Sequence, residues 1–121
     1  MIVKTYEVSH KRFDKQSFFL IYGENEGQKS EIIQILKKNF KGKTENYDEN
    51  QILKNKELFY EKIFNQSLFE REKIIIINRC SEKIYEIAED ILDSSISDIK
   101  IIFSANILEK KSKLRKFFEK N

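Results

Sequence analysis

The sequence predicts an α/β domain of three layers, in which a parallel β-sheet lies between two layers of helices. Two observations support this fold class. Strand-like runs alternate along the chain with segments of helical periodicity, which is typical of parallel sheets. The runs FFLIY at residues 18–22 and KIIII at residues 73–77 are continuous rather than alternating, which indicates strands that are covered on both faces.

Local chemistry marks where several of these elements begin and end. Residues 1–16 show no clear period and are left unassigned. A helical stripe that starts at Ile32 and includes Ile35 stops near Gly42, because glycine and the lysines before it suit a helix C-terminus. Asp48 is the expected N-cap of the next helix, since an aspartate side chain accepts hydrogen bonds from the first free amide groups.

The predicted strands and helices follow one another along the chain. We expect strands at residues 18–22, 43–47, 73–77 and 98–103. We expect helices from the glycine-containing loop to residue 42, then at residues 49–54, 56–69, 81–92 and 109–120. Because sites in parallel sheets gather at the carboxyl ends of strands, functional residues are expected after Tyr22, Ile77 and Phe103.

Length and composition indicate one globular domain. The chain has 121 residues and a net charge of +3, which is too mild by itself to indicate a nucleic-acid-binding protein. The single cysteine, Cys80, excludes an internal disulfide, and the single histidine, His10, excludes a multi-histidine metal site. No recognisable nucleophile motif joins the two, so a buried thiol is the simpler interpretation of Cys80. Without a signal-peptide core or a membrane-spanning run, we expect a cytoplasmic protein with no membrane partner.

The loop after the first predicted strand looks like a phosphate-binding loop that has degenerated. It reads GENEGQKS from Gly23 to Ser30, against the pattern G-x-x-x-x-G-K-[ST]. Gly27 comes one residue early, and Gln28 puts a β-carbon where the backbone must approach a phosphate closely. Lys29 and Ser30 keep their order and are able to hold an anion at the helix N-terminus. These residues predict a nucleotide site that has lost its phosphate cradle.

The other two strand ends carry little that phosphoryl transfer needs. The sequence NRCS at residues 78–81 contains no carboxylate for a magnesium shell, and Arg79 would repel the metal ion. After Phe103, Ser104 and Asn106 fit either a polar sensor or a plain loop. Loss of both the phosphate cradle and the metal ligand removes the electrostatic stabilisation on which phosphoryl transfer depends. We therefore expect neither ATP hydrolysis nor a bound cofactor.

The helix predicted at residues 56–69 ends in two large apolar residues, Leu68 and Phe69. On an ideal wheel of about 100° per residue, Phe69 lies roughly 150° and Leu68 about 110° from the middle of the apolar stripe at residues 59–64. Two interpretations stay open on this geometry. In the first, the helix stops early and the pair folds back onto the core. In the second, the pair points outward and docks into a pocket of a partner.

Together, the α/β pattern, the degenerate phosphate loop, the acid-free third strand and SLF at residues 67–69 resemble the delta subunit of the bacterial DNA polymerase III clamp loader. The resemblance covers essentially the whole chain, but only that family's first domain. It implies an AAA+ nucleotide-binding fold of P-loop NTPase type with a degenerate site. It also implies that residues 1–121 are an N-terminal fragment, because family members continue into a lid domain and a helical collar.

The same resemblance implies a role in DNA replication. The chain would be a non-hydrolysing subunit that binds the β sliding clamp and opens the ring, so that the clamp is loaded on primed DNA as part of the polymerase III holoenzyme. The contact would comprise Gln66, Ser67, Leu68 and Phe69, of which the last three match the end of the clamp-binding pattern Q-L-[SD]-L-F. Asn65 and Gln66 stand where that pattern has glutamine and leucine. The implied partners are the β sliding clamp, other clamp-loader subunits and, indirectly or weakly, DNA.

Two other functions stay open on the residues alone. A divergent P-loop ATPase or kinase that uses Lys29 and Ser30 would bind nucleotide, and Lys29→Ala would weaken that binding. A nucleic-acid binder would use the basic segment at residues 109–121, with a steep salt dependence. The simpler interpretation of this segment is a solvated helix face.

Overall fold

The computed structural model describes residues 2–3, 18–38, 43–64, 73–93, 99–106, 108–109 and 111–120. The strands are β1 (Ile2–Val3), β2 (Phe18–Tyr22), β3 (Lys43–Asp48), β4 (Lys73–Cys80) and β5 (Ile99–Ala105). The helices are α1 (Glu26–Lys37), α2 (Glu49–Lys54), α3 (Lys56–Phe64), a short 3₁₀ helix (Glu82–Ile84), α4 (Tyr85–Asp93) and α5 (Lys113–Lys120). The predicted α/β class is confirmed.

The strands form one parallel sheet with the spatial order β1-β2-β5-β4-β3. The last strand in the sequence, β5, lies between β2 and β4, and Phe103 on β5 pairs with Leu20 on one side and Ile77 on the other. The register also places Tyr22 opposite Ala105. The carboxyl ends of β2 and β5 therefore meet at the same edge of the sheet.

The direction in which the chain crosses the sheet explains why helices cover both faces. The connection from β2 to β3 passes over β5 and β4 to the far edge, and the later connections step back one strand at a time. Because parallel crossovers are right-handed, connections that run in opposite directions put their helices on opposite faces. On one face α1 packs on the sheet in a cluster that comprises Phe19, Ile21, Ile32, Leu36, Ile74, Ile76 and Ile102.

The other face carries the larger core, which buries residues of the remaining helices. Alternate residues of β4, Ile75 and Ile77, point to this side, while their neighbours Ile74 and Ile76 point to α1. This alternation explains why β4 is apolar throughout, since both of its faces are covered. Members of the larger core from the helices include Ile52, Phe59, Ile63, Ile84, Ile87, Ala88, Ile91, Leu114 and Phe118.

Of the predicted helices, one has the expected bounds, one begins later, and one buries fewer apolar residues than expected. The predicted helix over Glu49–Lys54 is confirmed, and the backbone amide of Asp48 donates to Gln51 Oε1 at 2.9 Å. The final helix begins at Lys113 rather than at residue 109, because Ser112 Oγ accepts from the amide of Arg115 and caps it. The predicted stripe on α1 was wrong about Ile35, which is 46% exposed.

Within the part of the chain that the structure describes, no helix combines the length and the apolar character that crossing a bilayer requires. The predicted end of α1 near residue 42 and the predicted continuation of α3 to residue 69 lie outside the described residues.

Candidate functional site

The candidate site lies where β2 and β5 end side by side. The chain leaves β2 towards α1 on one face of the sheet and leaves β5 towards α5 on the other. Such a divergence opens a crevice at the carboxyl edge, and ligands of parallel sheets bind in crevices of this kind. Gly23 crosses the crevice, because its amide donates to the carbonyl of Asn106 at 2.9 Å. Its φ of +143° lies in the region that only glycine adopts without strain.

The loop that follows Gly23 is closed by its own hydrogen bonds. Asn25 is the N-cap of α1, and its Oδ1 accepts from the amide of Gln28 at 3.0 Å. The carbonyl of Asn25 accepts from the amide of Lys29 at 3.1 Å. A phosphate-binding loop offers such amides to the ligand. Here the helix begins at Glu26, so these two amides are already bonded within the protein.

Gly27 lies beside the side chain that caps α1. It lies in the first turn of α1, and not in an open loop as in a working phosphate site. A β-carbon at this position would lie 3.3 Å from Asn25 Oδ1, which is closer than most such contacts. The early glycine therefore makes room for the capping side chain. Sequence reasoning identified the displacement of this glycine but missed the role of Asn25, although asparagine one residue before a helix is a recognised capping signal.

Lys29 is buried, with 3% of its surface exposed, and its ammonium group meets three acceptors. Lys29 Nζ donates to the carbonyl of Ala105 at 3.0 Å and to Asn106 Oδ1 at 3.3 Å. It also forms an ion pair with Glu26 Oε1 at 2.9 Å. A lysine ammonium has three N–H donors, so these partners match its full donor capacity. The side chain ties the start of α1 to the end of β5.

The neighbouring strand ends add a second ion pair. Arg79 follows Asn78 near the end of β4. Its Nη2 atom lies 2.9 Å from Asp48 Oδ2 at the end of β3. The Asp48 carboxylate at this edge is therefore paired with a guanidinium. Ser30, which would complete a magnesium shell in a working loop, is exposed on α1. Among the described residues, no three carboxylate, thiol or imidazole groups come together as a metal site.

These groups surround a small cavity of about 380 Å³. Its lining is polar and of mixed charge, with Lys29 and Arg79 facing Glu26 and Asp48. The remaining lining residues are Asn78, Ser104 and Asn106. Sequence reasoning placed Lys29, Arg79, Ser104 and Asn106 at this edge, and the structure brings all four together. The sequence did not predict that Glu26 lies at this edge or that Asp48 is paired, because neither feature belongs to a sequence motif.

Cys80 offers no nucleophile. Its thiol is buried, and Sγ lies 3.2 Å from the carbonyl oxygen of Ile77. Burial raises the pKa of the Cys80 thiol, and the negative charge of Glu49 raises it further. The group therefore stays protonated and packs as a small apolar side chain, as predicted. His10, its only conceivable partner, lies outside the described residues.

The predicted clamp-binding residues Gln66, Ser67, Leu68 and Phe69 also lie outside the described residues. The helix that leads to them is described, and Phe59 and Ile63 on α3 are buried as its apolar stripe predicts. On the flank of this stripe, Tyr60 Oη donates to Asp90 Oδ2 at 2.8 Å. α3 is thus anchored to the core and to α4.

The site is therefore a crevice at the carboxyl edge of a parallel sheet, closed by an asparagine cap and a buried lysine. Its chemistry is a set of internal hydrogen bonds and ion pairs. Comparisons with protein-family models, with curated proteins and with solved structures each gave no match for this chain.

Proposed function

We propose that this chain is a non-hydrolysing interaction module, the AAA+-like domain of a clamp-loader delta subunit, and that it binds a sliding clamp in DNA replication. The parallel sheet between two layers of helices is compatible with a P-loop fold. The observation that supports the non-hydrolysing part of the proposal is the bonding of the Lys29 side chain. The one cation that the loop pattern offers to a nucleotide is engaged with three groups of its own protein.

The energetics at this edge favour a module that does not transfer phosphate. A bound phosphate would have to displace Lys29 from the carbonyl of Ala105, which would leave a buried acceptor without its donor. Leaving such a group unsatisfied costs about 1–3 kcal/mol. The amides of Gln28 and Lys29 would also have to leave Asn25. The competing function, a divergent ATPase or kinase that uses Lys29 and Ser30, requires all of these bonds to break.

The clamp contact of the proposal uses residues 66–69, directly after α3. The buried face of α3 is occupied by Phe59 and Ile63, which pack into the core of the domain. Transfer of Leu68 and Phe69 into a partner's pocket would contribute roughly 3–6 kcal/mol of gross apolar burial, less the cost of ordering. Anchors of this size are typical of the few residues that dominate an interface.

The test is a titration of this chain with a bacterial β sliding clamp, read by calorimetry. We expect binding, and we expect the double substitution Leu68→Ala and Phe69→Ala to weaken it by at least about thirtyfold, which corresponds to about 2 kcal/mol. Leu58→Ala is the matched control, since Leu58 is an apolar residue of α3 that is 47% exposed. Equal affinities for the wild type and the double variant, or no binding by the wild type, would contradict the proposal.

A further inference from the structure

A second and larger concavity lies beside the closed crevice. It is an open groove of about 1120 Å³ at the carboxyl edge of the sheet, between the segment after β4 and the start of α5. We call it the basic groove, after the five cations in its walls: Lys56, Arg79, Lys83, Lys111 and Lys113. All five side chains are exposed. The groove is separate from the small cavity beside Lys29. Arg79 and Asn106 line both, and they form the ridge between the two.

The positive charges of the groove exceed its available negative charges. Three carboxylates line it, those of Glu82, Glu86 and Glu109. The Glu82 carboxylate is occupied at the start of α5, where it accepts from Ser112 Oγ and from the amides of Lys113 and Leu114. By contrast, the four lysines of the groove form no ion pair with another described residue. Within the described part of the chain, the other two carboxylates, those of Glu86 and Glu109, also form no ion pair, so four lysine charges share the groove with two unpaired carboxylates.

The groove also offers apolar surface. Leu53, Tyr85 and Leu108 contribute to its lining, of which Leu108 is buried and the other two are half-buried. The Tyr85 ring packs edge-to-face on Phe117, with ring centroids 5.6 Å apart, so its position is set by α5. An apolar patch among lysines suits a ligand that has both apolar and acidic groups.

Arg79 is held on the ridge at a conformational cost. Its φ of +56° lies in the left-handed region, which is unfavourable for a residue with a long side chain. The register of β4 against β5 shifts between Ile77 and Cys80, so Arg79 sits in a β-bulge. The bulge leaves the Arg79 side chain 78% exposed, next to Asp48. Bulges near functional edges re-aim side chains, and backbone strain concentrates at such places.

From these observations we propose that the basic groove binds an acidic segment of a partner protein, with a large apolar side chain of that segment against Leu53, Tyr85 and Leu108. The mixed walls favour a peptide over a nucleic acid. A phosphodiester chain carries a charge at every step, so a strand along the groove would place phosphates next to Glu86 and Glu109. A peptide places its carboxylates opposite lysines and its backbone amides opposite the two glutamates. The inference does not rest on the clamp contact, because the two surfaces share no residue.

The test begins with a random peptide library displayed on phage and selected on the 121-residue chain. We expect the enriched peptides to combine acidic residues with a large apolar one. Each peptide is then measured by fluorescence anisotropy against the wild type and against Lys83→Glu with Lys111→Glu. We expect the double variant to lower affinity by at least about tenfold, because charge pairs across an interface set its specificity. A thymidine oligonucleotide is measured in parallel.

The matched control is Lys38→Glu with Lys116→Glu, which changes net charge by the same amount at two exposed lysines outside the groove. Arg79→Asn is a second variant, since asparagine tolerates the left-handed conformation and removes the charge. Circular dichroism verifies the fold of each variant. If Lys83→Glu with Lys111→Glu does not fold, Lys83→Gln with Lys111→Gln takes its place. The proposal is overturned if enriched peptides lack acidic residues, if the control lowers affinity equally, or if the oligonucleotide binds more tightly than every peptide.

Discussion

Two buried lysines lie at opposite ends of the parallel strands, and only one of them belongs to a sequence that resembles a phosphate-binding loop. Lys29, with 3% of its surface exposed, sits at the carboxyl edge in a sequence that resembles a phosphate-binding loop. Lys73, with 6% exposed, opens β4 at the amino edge in a plain strand. Lys73 Nζ lies 2.8 Å from Glu45 Oε1 on the neighbouring strand β3. Both ammonium groups are therefore satisfied within the protein.

The difference between the two lysines lies in their partners. Lys29 donates to two neutral oxygens, the backbone carbonyl of Ala105 and Oδ1 of Asn106. Its carboxylate partner, Glu26, is 77% exposed. Lys73 has a carboxylate partner that is itself held by Tyr47 Oη at 2.7 Å. Lys29 is held mainly by hydrogen bonds to the end of β5, and Lys73 forms an ion pair across two neighbouring strands. Lys29 thus has a structural role in this fold, although the sequence around it resembles a phosphate-binding loop.

The largest effect is expected for Lys29→Met. Methionine keeps an apolar stem of similar length but leaves the buried carbonyl of Ala105 without its donor. We expect the free energy of unfolding to fall by about 2–3 kcal/mol, as for other hydrogen bonds of charged groups. Urea denaturation followed by circular dichroism measures it. Glu26→Ala is the control and should leave stability nearly unchanged, because that carboxylate is largely solvated. A Lys29→Met variant as stable as the wild type would mean that the hydrogen bonds of Lys29 do not contribute to the free energy of unfolding.

A smaller and pH-dependent effect is expected for Lys73→Met. Burial alone raises the pKa of Glu45, but hydrogen bonds from Lys73 and Tyr47 and the charges of Lys73 and Lys62 outweigh it, so the net pKa lies below its ordinary value of 4.5. A carboxyl group with a lowered pKa stabilises the folded state above its unfolded pKa, and this contribution disappears as the pH falls through the folded pKa. We expect a loss of about 1 kcal/mol at neutral pH, because the Glu45 side chain is 35% exposed and water replaces the lost partner.

Denaturation of both proteins across the acidic range checks this sign. The difference in stability between the wild type and Lys73→Met should be constant at neutral pH and should shrink below about pH 4.5. A difference that grows on acidification would show that Glu45 is not the group that Lys73 stabilises.

Much of the fold follows from local sequence chemistry. The alternation of apolar runs and helical stripes predicted the parallel sheet, and the strand and helix on either side of Asp48 were predicted to within one residue. These features depend on burial periodicity and capping, which act over a few residues. Ile35 was misjudged because an isoleucine-rich helix has more apolar positions than the single face that α1 buries.

The site was predictable only in outline. The displaced Gly27 and the missing carboxylate after Ile77 are visible in the sequence, and the structure adds the Asn25 cap beside the glycine and the pairing of Arg79 with Asp48. The acceptors of Lys29 were not predictable, since Asn106 lies 77 residues away and meets it only through the pairing of β2 with β5. The bulge at Arg79 depends in the same way on a neighbouring strand.

The central claim is that the carboxyl edge is closed to nucleotide because Lys29 is already bound by its own protein. The most direct test is thermal unfolding of this chain with and without millimolar ATP and magnesium. A ligand that binds the folded state raises its stability by an amount set by the ratio of ligand concentration to Kd. We expect an unchanged unfolding midpoint. A midpoint that rises with nucleotide concentration in the wild type, and does not rise in Lys29→Met, would contradict the claim.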